Sequence, residues 1–247
     1  MSRPSRTRMK RALVLILVAW QLSLTVLLTA AGAGDRLIGA LAGMLWGLDL
    51  LWIGGCGLLS LYGRERVRSI FRRTGPLPGL KFTLLATGLA LLEEVVTIAM
   101  TNCAPLFGCR VGEVYITASA NYLDVVALHS VVVFIPQFAA WAWLLSRHAF
   151  RPFEVFLLFG LTGFLNEAMF SGPNPASLAQ WILVYGLMVY LPAYAFPDLP
   201  GRRPVRWWMF PIAVVLPILA AIPLVFLLTA VIAPGHPQIH FPPIGER

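Results

Sequence analysis

The stretch LKFTLLATGLALLEEVVTIAMTN, residues 80–102, carries one lysine at its start, two adjacent glutamates and otherwise no charge. About 20 apolar residues in a helix cross the hydrocarbon core of a bilayer, so the segment reads as a membrane span that buries Glu93 and Glu94. Charged groups at that depth are costly and mark functional sites by default. The rest of the chain decides whether this reading holds.

Six further stretches of the same kind flank it, at 12–31, 37–62, 121–146, 153–171, 178–196 and 207–233. Across all 247 residues, 58% are hydrophobic and only 12% charged, with a mean hydropathy of +0.77. That composition excludes a soluble enzyme, a disordered chain and a disulfide-stapled secreted domain. The net charge of +8 does not point to nucleic acid, because the basic residues flank apolar spans and form no separate basic domain. A β-barrel would need alternating ten-residue segments, which are absent. The expected fold is all-α, a single polytopic helical bundle over 1–247 with seven transmembrane helices, because only such a bundle satisfies the backbone in lipid with loops this short.

Orientation follows from Lys and Arg. One set of loops holds sixteen of them, including Arg3, Arg6, Arg8, Lys10 and Arg11, the run from Arg64 to Lys81, Arg147, Arg151, Arg202, Arg203 and Arg206. The other set holds only Arg36, Arg110 and Arg247. The N-terminus is therefore expected in the cytoplasm and the C-terminal tail outside, in a cell membrane. The basic run Ser2 to Arg11, the apolar stretch and Ala31-Gly32-Ala33 share features with a signal peptide, but the run is longer than a typical leader core. The reading favours an uncleaved first helix.

Five of the eleven acids fall inside spans: Asp49, Glu93, Glu94, Asp124 and Glu167. At about 1.5 Å per residue, Glu94 and His129 both lie roughly 12 Å below the outer end of their helices. Glu93, Glu94, His129, Asn166 and Glu167 are thus expected to converge in the outer half of the bilayer. Two neighbouring carboxylates in a low-dielectric interior do not both ionise cheaply, so one of the pair is expected to hold its proton. Such a set suits Glu-activated water, a proton-passing His and an Asn donor to an oxyanion. Simple helix packing is the bland alternative. Asp124 precedes His129 by five residues, about 140° around an α-helix, which places it at the rim or in another pocket.

The motif Leu91-Leu92-Glu93-Glu94-Val95-Val96-Thr97, with Leu128-His129-Ser130 on the next helix and Asn166-Glu167 on a later one, resembles the CAAX-protease-like membrane superfamily. That group contains type II CAAX prenyl endopeptidases, bacterial CPBP proteins, PrsW-type proteases and the non-proteolytic APH-1. The resemblance implies a helical bundle in which the glutamate activates water while His and Asn position it. It spans about thirty residues and the order of three helices. Three features depart from the pattern: Ile98 stands where an Arg is usual, Val125 where a Phe is usual, and the later motif has no His. These departures fit a pseudoenzyme as well as an enzyme.

Cys103 and Cys109 share an outer loop where a disulfide staple is expected, and Cys56 sits among glycines as a packing residue. The loop continues through Tyr115 to Asn121, either exposed or lying over the polar cluster. Gly160 and Gly163, seven and four residues before Glu167, allow close packing on the face of that carboxylate. Trp141, Trp143, Trp207 and Trp208 read as interface anchors. His236 and His240 lie in a Pro-rich tail, where a metal site needs more ligands than two. No dinucleotide, P-loop or HExxH motif occurs, so no cofactor is expected.

Three functions compete. An intramembrane peptidase-like hydrolase acting on a membrane protein or peptide requires a water-accessible cleft. A scaffold or partner-binding protein requires a dry, mutually bonded polar set. A proton-coupled transporter fits buried carboxylates but lacks repeat symmetry. A metal-dependent enzyme using Glu94, His129, Glu167 and Asp124 stays open as a fourth.

Overall fold

The computed structural model describes residues 3–73, 75 and 77–244, and side chains from residue 7 onward. Ser2 and Arg247, and the side chains of Arg3 and Arg6, which entered the charge and leader readings, lie outside the described residues. The chain is all-helical; among the described residues the only extended pairings are the isolated bridges Val111 to Val114 and His148 to Arg203. In chain order the helices are α1 (Arg3–Ala31), α2 (Arg36–Arg73), α3 (Pro78–Asn102), α4 (Tyr122–His129), α5 (Val131–Arg147), α6 (Pro152–Ser171), α7 (Pro175–Ala195) and α8 (Met209–Ile232). Six are long and apolar enough to cross a membrane, and α4 with α5, bent by 46° at Ser130, pass the same test together, which makes the count six or seven. The seven apolar stretches of the sequence fall on these elements.

α7 is the buried axis, in contact with α1, α2, α3 and α6, and most of its residues are covered. α6 lies against it at backbone distance: a Cβ on Gly160 would stand 2.7 Å from Ile182 Cα, and one on Gly163 would stand 2.1 Å from the Tyr185 ring. Small residues at such contacts let helices approach where lipid supplies no hydrophobic drive. The close-packing reading of both glycines holds. Outward faces carry Leu15, Leu27, Leu59, Leu84, Phe226 and Val231 exposed, an apolar rim far beyond what a soluble surface tolerates.

α1 is tied to α2 by polar groups at four-residue spacing. Gln21 Nε2 donates to Asp49 Oδ1 at 2.9 Å, Thr25 Oγ1 donates to Asp49 Oδ2 at 2.7 Å, and Trp46 Nε1 donates to Thr29 Oγ1 at 3.0 Å. Asp49 lies in the first turn of a π-helical stretch, Leu48–Cys56, within α2. The ladder gives the first helix a bonded place in the bundle.

Two expectations are corrected. Cys103 and Cys109 are free thiols: Cys103 caps α3, while left-handed Gly108 turns Cys109 inward against Ala40, Met44, Ala104 and Val114. Trp141 is fully buried and packs edge-to-face on Phe150. It is a core residue because Trp141 and Trp143, two apart, face opposite sides of a helix. Trp143, Trp207 and Trp208 are exposed.

Candidate metal centre and acidic pocket

The loop after α3 prepares both sites. Asn121 caps α4, its side chain accepting from the backbone N–H of Leu123 and Asp124. Tyr122 donates its hydroxyl to Leu91 O at 3.2 Å, pinning α4 to α3. The next residues, Val125–His129, form a π-turn closed by Ser130 N donating to Val125 O at 2.9 Å. An i to i+5 bond makes residues five apart stack, so Asp124 and His129 share a face. The α-helical 140° that separated them in the sequence reading is thereby removed.

The tail completes the set. A second π-turn, Leu228–Ile232, ends α8, and Ala233 leaves the helix with its N–H on Leu228 O. Gly235, at φ +81°, reverses the chain in a conformation that suits glycine. His236 follows in a turn bonded to Ala233 O, and His240 donates its backbone N–H to Ala118 O at 2.8 Å. Phe241 then stacks at 4.8 Å on Tyr115 and lies against Gly112, where a Cβ would stand 3.0 Å from its ring. The loop is not wholly exposed: Val114, Glu113 and Ser119 are buried, and the tail lies against it.

Four ligand atoms meet there. His129, His236 and His240 present their Nε2 atoms at 3.1, 3.1 and 3.3 Å from one another. The Asp124 carboxylate lies 3.0 Å from Nε2 of His236, 3.0 Å from that of His240 and 3.5 Å from that of His129. Asp124 meets His236 through Oδ1 and His129 and His240 through Oδ2, and one ligand atom from each of the four residues lies within 4.8 Å of the others. Metal arms of about 2.0–2.1 Å, the Zn–N distance, give an edge of about 3.3 Å. Asp124 Oδ2 is buried and unbonded by strict hydrogen-bond geometry although an imidazole nitrogen stands 3.0 Å away. Three imidazole nitrogens have too few protons to satisfy six mutual contacts, and their converging lone pairs call for a cation. The tail histidines, two short of a site in the sequence reading, gain Asp124 and His129 from α4.

A separate buried cluster of acids lies where α3, α6 and α7 meet. Glu93 and Glu94 on α3, both buried, sit within electrostatic reach of Glu167 on α6 and of Tyr185 on α7. Tyr185 donates its hydroxyl to Glu167. Thr97 Oγ1 donates to Glu94 Oε2 at 3.2 Å, and Ser130 also reaches Glu94. Asn166 points elsewhere, its amide donating to Gln137 Oε1 on α5 at 3.2 Å. The structure thus brings together Glu93, Glu94 and Glu167, turns His129 into the tail cluster and pairs Asn166 with Gln137. Sequence reasoning missed Tyr185 and Ser130 as neighbours of these acids, because no spacing along the chain marks either of them.

The loop is locked to α2 by Glu113, which accepts from Arg36 at 3.1 Å, from the Arg110 side chain at 3.2 Å and from Arg110 N at 2.7 Å. The backbone hydrogen bond, reinforced by the two guanidinium groups, holds its carboxyl at about 2. Comparison with family models, with curated proteins and with solved structures finds no match.

Proposed function

We propose that this is a multi-pass membrane protein that binds one zinc-type divalent ion through Asp124, His129, His236 and His240, and that the ion clamps the C-terminal tail over the loop between α3 and α4. One observation carries the reading: the three imidazole Nε2 atoms stand 3.1–3.3 Å apart and an Asp124 carboxylate oxygen lies 3.0–3.5 Å from each of them, spacings near those of a tetrahedral nitrogen and oxygen shell. Tetrahedral N/O coordination selects zinc over the square-planar preference of copper and nickel, and over the oxygen shells of calcium and magnesium. Four protein ligands close the shell, as in sites that hold structure.

The charge bias supports placing this centre on the outer face of a cell membrane. The basic side chains Arg64 to Arg73, Lys81, Arg147, Arg151 and Arg202 to Arg206 collect at the opposite helix ends. The test is metal content: protein purified without chelator should hold one zinc per chain by elemental analysis, and Asp124→Ala with His236→Ala should hold none. Equal metal in wild type and variant would end the proposal.

A second reading, Glu-based hydrolysis of a membrane protein or peptide as the CAAX-protease-like resemblance implies, is favoured by the gathering of Glu93, Glu94 and Glu167. In that reading Glu94 activates water without help from the His129 ring. Cleavage of a transmembrane peptide in proteoliposomes, lost in Glu94→Gln and kept in His236→Ala, separates it from the metal proposal.

A further inference from the structure

The end of the bundle opposite the histidines carries a cavity of about 290 Å³ lined by His148, Arg203, Pro204, Arg206, Trp208 and Met209. α5 ends at Arg147, and the segment before α8 runs beside its extended continuation. Arg203 N donates to Arg147 O at 2.9 Å and Ala149 N donates to Arg203 O at 3.0 Å, so the wall of the cavity is fixed by backbone bonds. Neither the Arg203 nor the Arg206 guanidinium has a carboxylate or hydrogen-bond partner among the described residues. The nearby acid, Asp198, is taken by Arg202, whose guanidinium also donates to Leu145 O at 3.5 Å. His148 lines the same space with its Nδ1 buried and without a partner. Burial, then the fields of Arg203 and Arg147, push its imidazole below the usual histidine range. It is neutral near pH 7 and has one ring N–H to donate. Trp207 and Trp208, exposed beside the cavity, belong at headgroup level in a bilayer.

We propose that this cavity is a binding site for a phosphate group that carries net negative charge, held by the Arg203 and Arg206 forks and the His148 imidazole; phosphatidylglycerol offers such a group, whereas the phosphate of phosphatidylcholine is neutralised by its choline. Guanidinium forks match phosphate oxygens in pairs, and basic pockets between helices at the membrane surface take anionic headgroups. A volume near the lower end of ligand pockets suits a phosphate with a small headgroup. The site stands independently of the metal proposal, about 25 Å away along α5 at 1.5 Å per residue.

The experiment is native mass spectrometry of the full chain in detergent, titrated with phosphatidylglycerol and with phosphatidylcholine. One phosphatidylglycerol is expected to be retained in preference to phosphatidylcholine. Arg203→Gln/Arg206→Gln is expected to weaken it about 5-fold for each arginine, and Arg203→Lys/Arg206→Lys, which keeps the charge and loses the forks, is expected to weaken it less. Arg72→Gln/Arg73→Gln removes the same charge from exposed positions outside the cavity and is expected to leave binding unchanged. Displacement by millimolar inorganic phosphate would identify free phosphate as a source of the group; resistance to it would identify the lipid. Equal retention of both lipids, or equal losses in the 203/206 and 72/73 variants, would overturn the proposal.

Discussion

Replacing His240 with Ala removes one corner of the tetrahedron and leaves the other three, which makes it the sharpest test of the metal centre. Four-ligand structural zinc sites bind with about 10–16 kcal/mol, so one ligand of four carries roughly 3 kcal/mol, and its loss weakens affinity at least about 100-fold. With free zinc at 100 times the wild-type dissociation constant, binding stabilises the folded wild type by about 2.7 kcal/mol. The variant under the same conditions gains only about 0.4 kcal/mol. Equilibrium dialysis against buffered zinc reads the affinity, and Co²⁺ substituted for zinc reports tetrahedral geometry through its visible spectrum.

The tail supplies a second readout of the same variant. His240 is joined to the loop by its backbone bond to Ala118 and by the stacking of Phe241 on Tyr115, contacts that one metal bond reinforces. Limited proteolysis after Ile239 is therefore expected to be slow in zinc-loaded wild type and fast in both the chelated wild type and the variant. Unchanged zinc affinity in His240→Ala, or cleavage indifferent to zinc, would refute the reasoning.

Four other outcomes are expected. Glu113, whose carboxyl lies near 2 against an ordinary 4.5, contributes stability that is complete above pH 4.5 and lost as pH falls toward 2; hydrogen exchange of the loop should show that acid sensitivity in wild type and not in Glu113→Gln. Gly160→Ala sets a methyl group 2.7 Å from the Ile182 backbone, so it should destabilise the α6 and α7 pair by about 1–3 kcal/mol in a denaturant titration, while Gly88→Ala, with open space around it, should not. Asp49→Ala deprives Gln21 and Thr25 of their shared acceptor and should cost about 1–3 kcal/mol at the values for interhelical bonds in membranes, read as faster proteolytic access to α1. A cysteine placed at Ile244 in a background without Cys56, Cys103 and Cys109 should react with an impermeant maleimide from outside intact cells, and one placed at Arg206 should not.

The helices were legible because lipid imposes a length and a composition that no soluble element imitates, and the grouping of Glu93, Glu94 and Glu167 followed from depth and helix order. What stayed hidden is the local backbone. A π-turn carries no composition signature, so the face shared by Asp124 and His129 was displaced by the assumption of 3.6 residues per turn. His236 and His240 were visible as residues, but a tail returning across a loop depends on Gly235, Gly112 and Phe241 acting together, and spacing along the chain does not encode that meeting. Trp141 was misplaced for a simpler reason: an aromatic near a helix end faces lipid or core according to its side of the helix, and both sides are apolar here.

The π-turn at Val125–His129 also explains why two polar sites lie so close without merging. It directs His129 toward the tail while Ser130, the next residue, reaches Glu94. With α-helical geometry through this segment, Asp124 and His129 would separate and the metal shell would have no second pair of ligands beside the tail. Single π-turns are rare and recur at functional sites, and this one coincides with the 46° bend at Ser130. Under the metal proposal, removal of the ion is expected to relax the turn as well as the tail, and the readout nearest to the turn is the environment of Glu94, which is reached by Ser130 beside His129.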